Sequence, residues 1–75
     1  MYAIHSMHVD VNEDVYNLGE IKTFQTREEA VEERKLMIKE INEDYDLDFQ
    51  IEDENLDGCV INYQGGFFQI NMQKI

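Results

Sequence analysis

Asp44, Asp46 and Asp48 form a D-x-D-x-D run, the first place to look for a cation cage. Apolar Tyr45 and Leu47 stand between them, so period-two alternation makes the three carboxylates one face of a strand, about 7 Å apart. Such a row cannot close around one ion. His5 and His8 are three positions apart, which on a strand sends them to opposite faces, while His8 and Asp10 share one. Nucleophilic catalysis needs a thiol or hydroxyl beside a positioned base. Cys59 is expected to point inward and Ser6 is the only serine. No glycine-rich loop precedes a helix, so no phosphate cradle is present. These residue types and spacings predict neither a catalytic site, a cofactor nor a metal, and the chain is expected not to be an enzyme.

Asp53-Glu54-Asn55-Leu56-Asp57-Gly58 is closer to a recognisable pattern, the first half of an EF-hand loop, with Val60 at its aliphatic position. The twelfth position is Gln64 where a bidentate Glu is required. The residues before the loop alternate with period two, so the entering helix is also missing. A turn rich in Asp, Asn and Gly between strands accounts for the same residues.

The charge distribution is more distinctive than any motif. The 75 residues hold seventeen Asp and Glu against six Lys and Arg, a formal charge of -11. All seventeen acids precede Gly58, and eight lie between Glu43 and Asp57. The surface expected from them comprises Glu28, Glu32, Glu40, Glu43, Asp44, Asp46, Asp48, Glu52 and Asp53. Such a surface disfavours phosphate backbones and anionic lipid and attracts a basic protein surface. By contrast, Gly58 to Gln73 has no charged residue, and only Lys74 defends the C-terminal strand against pairing with another strand.

The elements that must position these residues follow from periodicity. Thr26 to Glu43 is predicted to be the one helix, with Thr26 as N-cap and Glu29 completing a capping box. Projected at about 100° per residue, Ala30, Val31, Met37, Ile38 and Ile41 share one face, with Leu36 off it. Arg34 falls mid-stripe, where its stem is expected to pack while the guanidinium reaches a carboxylate. Before the helix, Tyr2 to Val11 reads as a strand with Met7, Val9 and Val11 inward. Asn12 to Asn17 reads as a turn, and Leu18 to Phe24 as a second strand. After the helix, Tyr45, Leu47, Phe49 and Ile51 alternate with acidic or polar residues as a further strand. Gly65-Gly66 then marks a hairpin between Cys59 to Gln64 and Phe67 to Ile75. Pairing Gln64 with Phe67 sets Tyr63 against Phe68, Ile61 against Ile70 and Cys59 against Met72. The predicted fold is α+β, a small β(β)αβββ domain over residues 1–75 with one antiparallel sheet and a single helix packed on one face.

Leu18 to Ala30, L-G-E-I-K-T-F-Q-T-R-E-E-A, resembles locally the strand-to-helix corner of AP2-like and integrase arm-binding domains. Those families are basic where this chain is acidic, so the resemblance implies a capped corner and transfers no functional residue.

A domain of this size buries only about 60% of its unfolded surface, which predicts a thin core. One cysteine, no apolar run of membrane length and no signal-like N-terminus lead to the expectation of a soluble cytoplasmic protein that neither enters membranes nor binds nucleic acid directly. Scarce Ala and absent Pro, with frequent Ile, Asn, Tyr and Phe, lean towards an AT-rich bacterial or phage source. The expected function is a small acidic inhibitor that offers carboxylates to the basic groove of a nucleic-acid-handling enzyme. In charge and size it is similar to DNA-mimic, anti-restriction and anti-CRISPR inhibitors. The alternative is an interaction module that homodimerises through its uncharged C-terminal hairpin, using Asn62, Gln64, Phe67, Gln69 and Asn71.

Overall fold

The computed structural model describes residues 1–17 and 21–75, and the predicted second strand from Leu18 falls partly outside them. In chain order the elements are β1 (Tyr2–Asp10), β2 (Val15–Asn17), β3 (Lys22–Phe24), α1 (Arg27–Tyr45), β4 (Gly58–Tyr63) and β5 (Gly66–Lys74). The α+β class, the single antiparallel sheet and the helix on one face are as expected, whereas the element order is βββαββ. The sheet runs β2-β1-β5-β4, and β3 pairs with β1 beyond β2 along the same edge.

The polar turn is shorter than predicted because Asp10 organises it. Its Oδ1 accepts from the backbone N–H of Asn12 and Asp14, and its carbonyl accepts from Glu13, which takes φ 66°. An Asx-type turn closes the chain in few residues, so the return strand already starts at Val15.

The facing of β1 is the reverse of the expectation. Ile4 and Ser6 are buried beneath the helix, with His8 next on that side, while Met7 and Val9 lie on the other face and Val11 is exposed. The register with β5 decides this, since Ile4, Ser6 and His8 stand opposite Met72, Ile70 and Phe68. His8 is accommodated by stacking on Phe68, ring centroids 4.4 Å apart, and by a hydrogen bond with the Tyr63 hydroxyl. A histidine with a partner and a small serine thus occupy positions that apolar counting reserved for solvent.

The hairpin pairs Tyr63 with Gly66, Ile61 with Phe68 and Cys59 with Ile70, two residues away from the predicted register. Gln64 and Gly65 make the turn. Gly66 has φ 136° and lies so close to the Val9 carbonyl that a Cβ would collide with it, which commits it to the strand. A two-residue shift preserves face parity, so every large apolar residue keeps its predicted side.

Helix α1 follows the prediction at its start and overruns it at its end. Thr26 accepts from the Glu29 N–H at 3.3 Å and its hydroxyl donates to the Glu29 carboxylate. Ala30, Val31, Ile38 and Ile41 are buried with Ile4, Ile61, Phe68, Ile70 and Met72, and Leu36 faces solvent. The C-cap is Asp46, in the left-handed conformation at φ 54°, a place where glycine is usual but Asp is tolerated.

The strand predicted from Tyr45 onward does not form. Residues 46–57 run as irregular chain alongside the helix, back towards its N-terminus. Their alternation is real, for Leu47, Phe49 and Ile51 are half-buried while Asp46, Asp48, Gln50 and Glu52 are exposed. The backbone partner is a side chain: Asn42 accepts from the Phe49 N–H and donates to its carbonyl, both at 3.1 Å.

Candidate functional site

Helix α1 and the returning segment position all nine carboxylates of the expected surface; Glu52 is exposed midway along the returning segment, and the other eight divide into two environments. At the N-terminal end, Arg34 is buried to 1% exposure and donates to the Leu56 and Glu54 carbonyls at 2.6 and 3.1 Å. The expected carboxylate partner is thus replaced by two backbone oxygens, because the returning segment presents its peptide carbonyls to the stripe. Arg27 donates to the same Glu54 carbonyl and lies 3.5 Å from Asp57. Lys35 bridges Glu32 and Glu54, each at 3.3 Å. Glu28 is exposed in this region without an ion pair among the described residues, and Asp53 uses a carboxylate oxygen to hold the Asn55 N–H. The EF-hand-like run is therefore a turn fastened by Arg27, Arg34 and its own Asx contact.

At the C-terminal end the picture changes. Glu40, Glu43, Asp44, Asp46 and Asp48 are exposed, and no ion pair to them occurs among the described residues. No basic residue occupies the last helical turn. The negative end of the helix dipole adds to these charges where Lys or Arg would be favourable.

Three carboxylates that sequence reasoning left out share this end, namely Asp10, Glu13 and Asp14 of the β1–β2 turn. They are brought there by β1, whose His8 ring lies 5.9 Å from Tyr45 and 6.0 Å from Tyr16. The Tyr16 hydroxyl donates to Asp10, and the nearby charges of Asp10 and Asp14 push its phenol above the ordinary value. Burial, then Tyr45 and Asp10, raise Tyr63 in the same way. Tyr16 and Tyr45 remain 50% and 42% exposed, so the acidic end also presents aromatic surface. The signal available in the sequence was the D-V-N-E-D turn after the first strand, but its meeting with the helix end is tertiary.

The residues of the alternative interface keep their expected face, but the strand expected to be an edge is an inner one. Asn62, Phe67, Gln69 and Asn71 lie on the sheet face away from the helix, and Gln64 is in the turn. β5 is hydrogen-bonded on one side to β1 and on the other to β4, so the C-terminal strand offers no free edge; the open edge there is β4. Met7, Val9, Val15 and Val60 join the same outer face.

Among the described residues no group of three or more His, Cys, Asp or Glu is placed to hold a metal ion. None of the described helices is long and apolar enough to cross a membrane. Comparison with protein-family models, with curated proteins and with solved structures finds no match to this chain.

Proposed function

We propose that the protein is a non-enzymatic inhibitor that presents its acidic surface to the basic groove of a nucleic-acid-handling protein, in the manner of DNA-mimic, anti-restriction and anti-CRISPR inhibitors. The observation that carries this reading is the acidic end of α1, where five exposed carboxylates make no ion pair among the described residues and lie beside exposed tyrosines. Nine carboxylates ride on or alongside a helix of 19 residues, which is about 28 Å long. That is one charge per about 3 Å, close to the charge spacing of about 3.4 Å along one nucleic-acid strand. Tyrosine beside carboxylate supplies rigid contact area and a cation–π surface for Arg and Lys.

Pull-down from a bacterial lysate at low and high salt tests the reading. A specific basic partner should be retained at about 0.1 M salt and released towards about 1 M, as the screening length falls from about 10 Å to about 3 Å. Affinity that stays constant over that range contradicts the mechanism.

A second reading is favoured by the outer sheet face, where the strand residues Met7, Val9, Val15, Val60, Phe67, Asn62, Gln69 and Asn71 bring no formal charge. On a chain of -11 this is the surface on which two copies meet with least repulsion. Sedimentation separates the readings: a dimer that Val60→Glu dissociates, and that charge reversal at Asp46 and Asp48 leaves intact, supports the second.

A further inference from the structure

A cavity of about 280 Å³ opens between α1 and the sheet at the bare end of the helix. Its floor is Ile4, Ser6 and Phe68, and Met37 and Ile41 form the helix wall. Ser6 is only 4% exposed, and its side chain lines the cavity floor. A hydroxyl on the floor can accept a hydrogen bond from a donor that enters the cavity. Around the mouth, Lys22 is held by Glu33 at 2.8 Å, which leaves Glu40 and Asp44 with no ion pair among the described residues. Tyr45 completes the mouth. The volume lies below the about 300–1,000 Å³ of sites that enclose drug-sized ligands, and it equals that of about nine liquid waters. One long side chain fits this space better than a cofactor.

We infer that this cavity is the anchor pocket for a single Arg or Lys side chain of the basic partner, with the alkyl stem between Met37, Ile41 and Phe68 and the cationic head between Glu40, Asp44 and the Ser6 hydroxyl. This rests on the function proposed above and deepens it, for it separates a located hot spot from diffuse attraction by the acidic surface. Such anchors are characteristic of interfaces, where an Arg in a desolvated pocket carries a large share of the affinity. Phe68 and Tyr45 offer aromatic surface to the cation as well.

The test uses n-butylguanidinium, with n-butylurea as its neutral isostere, titrated into the isolated full chain and followed by amide and methyl NMR. Saturable shifts centred on Ser6, Met37, Ile41 and Tyr45 are expected. Butylurea, or butylguanidinium with the Glu40→Gln/Asp44→Asn variant, should bind at least tenfold more weakly. Shifts spread over Glu28, Glu32 and Glu52 with Ser6 and Ile41 unmoved, or equal binding of butylurea, overturn the inference. Ser6→Leu fills the cavity and keeps every carboxylate. With its fold checked by circular dichroism and the methyl spectrum, it should lose the saturable shifts and weaken partner binding while leaving the salt dependence unchanged. If the probe binds as expected but no salt-sensitive basic partner is captured, the proposed function fails and the pocket stands. If such a partner is captured and Ser6→Leu binds it unimpaired, the pocket fails and the acidic surface stands.

Discussion

The two ends of α1 are made of the same residue types and behave differently. At the N-terminal end Thr26 caps the helix, and Arg27, Arg34 and Lys35 draw the returning segment onto it through Glu54, Leu56 and Asp57. Charge there closes the fold. At the C-terminal end Glu40, Glu43 and Asp44 continue into Asp46 and Asp48, with no cation in the last turn to offset the dipole. Charge there opposes the helix. A carboxylate that stabilises nothing in its own chain is available for a partner, and under the proposed function it is this end of the helix that a partner would meet.

Arg34→Met tests the neutralised end most severely. It keeps much of the stem's packing but leaves the Glu54 and Leu56 carbonyls without their charged donor, and should cost about 3 kcal/mol in urea unfolding. A loss near zero means that water replaces the guanidinium and that the returning segment is not fastened there. Thr26→Ala removes the acceptor for the Glu29 N–H, with an expected loss of about 1 kcal/mol.

At the other end the sign reverses. Asp44→Lys places a cation in the last turn, four residues after Glu40, and should stabilise by about 0.5 kcal/mol at low salt, with the gain fading as salt rises. The smallest effect concerns Cys59. Burial pushes its thiol above the ordinary value, while the Arg34 charge and a hydrogen bond with the Ile70 backbone pull it down. Since the folded state holds this proton more tightly, the associated stability is full below the unfolded thiol value. It is lost as pH rises through the folded one. Aromatic disulfide reagents should therefore react with Cys59 more slowly than with an unfolded thiol at pH about 8, where the unfolded group is partly ionised. Arg34→Met should slow the reaction further unless it opens the fold.

The sequence made the helix legible because its cap, its stripe and its off-stripe Leu36 are local properties that tertiary structure left unchanged. The hairpin's inner face was legible for a related reason, since Cys59, Ile61, Phe68, Ile70 and Met72 keep their side under a two-residue shift. What failed depended on partners distant in sequence. Met7 and Val9 outvoted Ile4 in a count of hydrophobicity, but β5 fixed Ile4 and Ser6 inward. Tyr45 to Glu52 has the alternation of a strand and lacks a ladder, because Asn42 satisfies Phe49 and the helix runs on to Tyr45. Of the candidate surface, the row from Glu40 to Asp48 was visible as composition. The joining of Asp10, Glu13 and Asp14 to it needed β1 to carry that turn to the helix end, and the pocket over Ser6 needed the whole fold.

By this comparison, the carboxylates at the C-terminal end of α1 do not hold the fold together. Equilibrium urea unfolding of the Glu43→Gln/Asp44→Asn/Asp46→Asn/Asp48→Asn variant, beside the unaltered chain at low salt and at about 1 M salt, tests it most directly. The variant should be at least as stable as the parent, by about 1 kcal/mol at low salt, with the difference shrinking at high salt. A variant less stable than the parent under both conditions would show that these residues serve folding, and the account of a surface kept for a partner would be wrong.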